Sequence, residues 1–214
     1  MPDLTRIAPN HLTATALDLL FGLRRVDTHP GEAFLISLAR LADKCLHEWA
    51  AARECLGRYV GTPAGADGRA RRRRLLMRAI DHLENLISSL HRALLLAERL
   101  RRDQGSPQLR RNLLPRDNEI ARLGDVRDTI EHMDQWVARG ATSDPANPRG
   151  ARDWRPWKGE PLFLAINRGG DSVRIADKSL TFNELARWIE QVCRVTSFLT
   201  SDPAAGGLWN PPTR

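Results

Sequence analysis

At 214 residues, with 42% apolar and 28% charged side chains, the chain has enough apolar mass for the core of one domain. This composition excludes a disordered, collagen-like or disulfide-rich chain. Unbroken apolar runs reach five residues, as in Ala93–Ala97, far short of the ~18 that a membrane span needs. The start, Met1-Pro2-Asp3-Leu4-Thr5-Arg6, lacks the basic-then-apolar pattern of a secretion leader, so a cytoplasmic protein with no membrane attachment is expected.

The formal charge is +7, and of the 33 basic residues only Lys44, Lys158 and Lys178 are lysines. An arginine-rich genome is one reading of this bias; phosphate binding, which suits the planar guanidinium, is the other. Thirteen arginines against four acids between Arg69 and Arg116 give that stretch a net +9, so the remainder carries −2. A basic region of this kind points to a polyanion as partner. Cys45, Cys55 and Cys193 form an odd set without a C-x-x-C pair. Cys45 and Cys55 lie ~15 Å apart on one helical pattern, too far for a disulfide, so reduced structural thiols and no zinc site are expected.

In chain order, residues 13–25 suggest a first helix. Pro30-Gly31-Glu32 opens the next, with Phe34, Leu38, Leu41, Cys45 and Trp49 at helical spacing to about Tyr59. A turn-rich break at Gly61–Gly68 follows. Leu76, Ile80, Leu83, Ile87, Leu90, Leu94 and Ala97 then step by four and three, the seam of a long helix in an antiparallel bundle. Pro107 and Pro115 bracket a second break. A further helix runs from Asp117 to Ala138, its stripe Val126, Ile130, Met133 and Val137.

Residues 140–161 are dense in Pro and Gly and read as a long loop. Leu162–Ile166 and Ser172–Ile175 form a hairpin about Asn167–Asp171. Thr181-Phe182-Asn183-Glu184 is a capping box with Leu180 and Leu185 as its staple. Leu185, Trp188, Val192, Val195 and Leu199 give the last helix its apolar face. The expected fold is mainly α, an antiparallel bundle of four to five helices with a small β-hairpin before the last helix. Residues 1–200 read as one domain, with loop 140–161 and hairpin 162–176 inserted, and 201–214 as a flexible tail.

Gly-rich phosphate loops and zinc-protease or calcium motifs are absent from the sequence. His82 and His91, nine residues apart, fall on opposite faces of one helix and read as surface or flank residues. Arg71-Arg72-Arg73-Arg74 opens the long helix, where cations oppose the macrodipole; either the helix begins after the run or an anion such as RNA lies there. Trp154 and Trp157, beside Arg152, Arg155 and Lys158, are candidates for stacking on RNA bases, or they tuck the loop onto the body.

Arginine and histidine with four to six residues between them occur at Arg6/His11, Arg24/His29, Arg40/His47 and Arg127/His132. Pro9 and Pro30 break the first two contexts, and apolar Leu41 follows Arg40. Only Arg127/His132 combines a helix, a polar follower (Asp128) and flanking acids. The stretch Asp125-Val126-Arg127-Asp128-Thr129-Ile130-Glu131-His132-Met133-Asp134 resembles the core motif of the HEPN superfamily, with the resemblance extending over about residues 30–199.

The resemblance implies a helical bundle, a metal-independent endoribonuclease without cofactors, a toxin or phage-defence role, and a homodimer. It also implies a nucleotidyltransferase as possible antitoxin, or a non-catalytic module paired with one; a helical nucleic-acid-binding regulator is the remaining alternative. His132 would move protons and Arg127 would hold the phosphate. Asp128, four residues before His132 and on its face, would orient the imidazole. Five residues on a helix turn through ~140°, so Arg127 and His132 leave on different flanks. Two such helices across a two-fold axis would bring both motifs into one cleft.

Overall fold

Proline at the second position of the first described helix, where no backbone N–H is needed, starts a rod that runs His29–Gly61 (α1). In this computed structural model, residues 1–4, 29–63, 65–102, 109, 111–138, 164–167 and 170–200 are described. The helix expected at 13–25, the loop 140–161 and the tail 201–214 lie outside them.

The second helix, Ala66–Arg102 (α2), packs along α1. Arg99 lies over the Phe34 ring, His82 meets Glu48, and Arg72 lies over the Tyr59 ring. One helix therefore climbs as the other descends. The break between them is shorter than expected because α2 begins at Ala66. Gly68 makes that possible: a Cβ there would stand 1.9 Å from the Pro63 carbonyl oxygen.

The expected seam of α2 is buried from Ile80 to Ala97, while Leu76 is half-buried. Ala79, Leu86, Ala93 and Leu100 are buried as well, because α2 packs on three other helices and needs a wider apolar face than a two-helix seam. On α1 the core face is Leu35, Leu38, Ala42, Cys45, Leu46 and Trp49. Phe34 and Leu41, expected in the stripe, sit at its half-buried edge.

A 3-10 turn at Arg111–Leu113 leads into the third helix, Asp117–Ala138 (α3). Glu98, nearly buried on α2, takes an ion pair from Arg101 and another from Arg111, and Arg111 also grips Asp117. That clamp fixes the entry of α3.

Strands Ala165–Ile166 (β1), Ser172–Ile175 (β2) and Lys178–Thr181 (β3) form an antiparallel sheet in chain order, and the last helix is Phe182–Thr200 (α4). The expected hairpin is β1–β2, in register Ala165↔Arg174 and Ile166↔Val173. β3 was not foreseen. It follows a tight turn at Ala176–Asp177, where Ala176 takes φ +49°, and that pair lacks the Asn-Gly or Asp-Gly signal by which such turns are read. The capping box is as expected: the Thr181 N–H donates to Glu184 Oε2 at 2.9 Å, and the Glu184 N–H to Thr181 Oγ1 at 3.2 Å. Trp49 and Phe182 meet edge to face, 6.1 Å between centroids, and seat α4 on α1. No described helix is long and apolar enough to cross a membrane.

Candidate functional site

The first turn of α3 is acidic, with Asp117 and Glu119, which suits the positive end of the helix dipole. Glu119 accepts from the Arg116 N–H at 2.8 Å and pairs with Arg187 of α4; Arg122 answers by pairing with Glu184. Burial pushes both carboxyls up, but the backbone N–H and guanidinium donors outweigh it and hold them below the usual range. Ile120, Leu123 and Val126 then anchor α3 in the core. Lys178 of β3 donates to the Asp125 carbonyl at 3.1 Å and to Thr129 Oγ1 at 2.7 Å. The helix is thus tied to α4 at its start and to β3 at the motif itself.

Arg127 is half-buried, and Asp128, Glu131 and His132 are exposed. Arg127 Nε donates to Glu131 Oε1 at 2.8 Å and Nη2 to Glu131 Oε2, while Nη1 reaches Asp128 Oδ1 at 3.1 Å. The guanidinium is forked onto one carboxylate and touches a second. Asp128 therefore turns to Arg127, and among the described residues no hydrogen bond joins it to His132. Met133 and Val137, expected in the core stripe, have side chains outside the described ones.

A residue that spacing alone did not bring to the site lies across from it. His91 of α2, expected as a surface or flank residue, is half-buried against α3. A Cβ on Gly124 would stand 3.0 Å from its Nε2, so a methyl group there would press the ring back by a few tenths of an ångström. Burial, and next the Arg127 charge, push the His91 imidazole below its ordinary value; Asp128 and Glu131 act the other way. Of its two nitrogens only Nδ1 is buried without a partner. The signal in the sequence was Gly124 itself, a glycine inside a periodic helix, which marks close approach.

His82, also expected as a surface or flank residue, is half-buried, bonds Glu48 Oε2 at 2.7 Å and belongs to the flank of the α1–α2 interface. Arg71, Arg73 and Arg74 are exposed and Arg72 half-buried, all within α2. The run starts five residues after the helix does, past the first turn where the dipole opposes cations most. Trp154 and Trp157 lie outside the described residues. Arg40 and His47, the competing pair, are both exposed on α1.

Cys45 and Cys193 are free and buried. Burial, then the neighbouring Cys193, pushes the Cys45 thiol well up, and burial raises Cys193 to about 12, which makes both poor nucleophiles. Among the described residues no three His, Cys, Asp or Glu side chains are grouped to hold a metal ion. No family model matches the chain, and no curated protein or solved structure matches it either.

Proposed function

We propose that the chain is a HEPN-type endoribonuclease, acting as a toxin or phage-defence effector. The observation that carries this reading is the placement of Arg127 and His132. Both lie on a helix pinned by its neighbours, and the exposed side of that helix carries Asp128, Glu131 and His132 beside Arg127. In this reading the 2′-hydroxyl of RNA attacks the adjacent phosphorus and the 5′-oxygen leaves. His132 moves the protons, and Arg127 exchanges its carboxylates for phosphoryl oxygens as charge builds there. Arg71–Arg74 hold the strand by its phosphates. A homodimer joins two motifs in one cleft, since one helix alone splays Arg127 from His132.

The test is cleavage of single-stranded RNA in EDTA, because the reaction as written calls on side chains alone. Products end in a 2′,3′-cyclic phosphate and a 5′-hydroxyl. Arg127→Ala and His132→Ala each slow cutting by about 10²–10⁴-fold, whereas Arg40→Ala and His47→Ala do not. Changing Arg71–Arg74 to serine weakens RNA binding and flattens its salt dependence.

A second reading is favoured by one observation: Arg127 is already satisfied by Glu131 and Asp128. An ion pair of that kind suits a non-catalytic module that works with a separate nucleotidyltransferase. Wild-type protein that cuts no RNA, even when freed of partners, selects this second reading.

A further inference from the structure

His91 is a polar ring pressed between two helices, next to a guanidinium, with one nitrogen sealed in. An N–H buried without an acceptor costs more than the same N–H kept where water reaches it. The proton of the neutral ring therefore belongs on Nε2, the nitrogen over Gly124, and not on Nδ1, which is buried and unpartnered. The result is an uncharged donor beside Arg127, fixed by packing before any ligand arrives.

We propose that His91 Nε2–H and the Arg127 guanidinium together form an anion subsite that binds one phosphodiester oxygen pair of a nucleic-acid strand. The subsite rests on the ribonuclease reading only for the identity of its ligand. Gly124, Arg127, Asp128 and Glu131 lie along one side of α3 at helical spacing, so a phosphate that meets Nε2 at the half-exposed edge of the ring lies within one turn of Arg127. Arg127 supplies charge, and His91 supplies direction. The depressed proton affinity of His91 agrees with this, since it keeps the ring neutral at pH 7. Glu131 competes with the phosphate for Arg127, and Glu131→Gln is expected to tighten binding.

The probe is a single-stranded 2′-deoxy oligonucleotide, which carries the phosphodiester and cannot be cut through a 2′-hydroxyl. His91→Leu is expected to weaken its binding by about ten-fold or more, the loss of one hydrogen bond to a charged group. His91→Gln, whose amide nitrogen falls near the position of Nε2, restores most of the affinity; His91→Asn, whose nitrogen falls near Nδ1, does not. The His91 ring signals titrate at higher pH with the oligonucleotide bound, because the added negative charge favours imidazolium. Should His91→Leu fail to fold, Gly124→Ala crowds Nε2 in an otherwise intact ring and weakens binding several-fold. Wild-type affinity in the Leu variant, equal weakening by Gln and Leu, or no binding by wild type overturns the subsite. An oligonucleotide that binds through His91 while RNA is never cut removes the ribonuclease reading and leaves the subsite. RNA cut with wild-type kcat and KM by the Leu variant does the reverse.

Discussion

Two glycines in helices show how one missing Cβ can carry opposite consequences. At Gly68 a methyl group would stand 1.9 Å from the Pro63 carbonyl oxygen, and backbone does not yield as a side chain does. Gly68→Ala is expected to destabilise by about 1–3 kcal/mol, an overpacking cost at the α1–α2 turn. Gly57, exposed on α1, has nothing within 4 Å of its Cβ position; Gly57→Ala is expected to stabilise by about 0.5–1 kcal/mol. Urea unfolding of the two variants checks both signs. His91 makes a prediction in pH. Its folded proton affinity lies below the ordinary imidazole value of 6.5, through burial and Arg127. The unfolded chain then binds the proton more readily, so stability falls as pH drops from about 6.5 towards the lower folded value. In His91→Gln the melting temperature is expected to fall less steeply between pH 7 and 5. Equal slopes in the two proteins would refute the assignment.

At the scale of elements, the helices divide by what holds their ends. α4 starts on a complete reciprocal cap, Thr181 with Glu184, and Glu184 is further paired with Arg122 of α3. α3 starts on half a cap, where Glu119 reaches back to the Arg116 N–H and forward to Arg187 of α4. The two helix starts therefore lock each other through crossed ion pairs. Thr181→Ala is expected to cost about 1 kcal/mol, the usual loss of an N-cap side chain, read as a shift in the denaturation midpoint. Thr181→Ser keeps the hydroxyl and is expected to lose only a few tenths of that figure. The β2–β3 turn is strained at Ala176, held at φ +49° by the pairing on either side, from Ser172↔Thr181 to Ile175↔Lys178. That short sheet matters for the site because it delivers Lys178 onto Asp125 and Thr129, one turn from Arg127.

At the scale of the whole molecule, the proposed chemistry asks more than one chain's motif supplies. Arg127 and His132 leave α3 about 140° apart by helix geometry, so a shared phosphate calls for a second copy. Light scattering at micromolar concentration is expected to give about twice the chain mass of 24.1 kDa. A strict monomer that still cuts RNA would move the weight of the site from the dimer cleft to the α2–α3 crevice and His91. The arginine run lies near the start of α2, before the stretch that faces α3, so on the proposed reading binding and cutting are expected to separate by mutation: serines at Arg71–Arg74 are expected to raise KM, and His132→Ala to lower kcat.

The sequence by itself determined the helices that carry strong apolar periodicity or explicit end signals. α3 begins and ends where Asp117 and Ala138 were read, and α4 begins on the box that Thr181 and Glu184 announce. These are local matters: caps, turns and a 3.6-residue period act within a few residues of chain. The third strand was illegible because Ala176–Asp177 enters its turn only under the pull of its neighbours. The roles of His82 and His91 were illegible for a related reason. Nine residues correctly put them on opposite faces of α2, but which face meets α1 through Glu48 and which meets α3 through Gly124 depends on partners 34 and 33 residues away. Likewise Arg127, Asp128 and His132 were singled out by resemblance, and helical spacing offered Glu131 to Arg127 but Asp128 to His132, where the structure turns Asp128 to Arg127. Tertiary packing decided these points, because burial and charge at a side chain are set by whatever lies across the helix interface, and no local pattern encodes it.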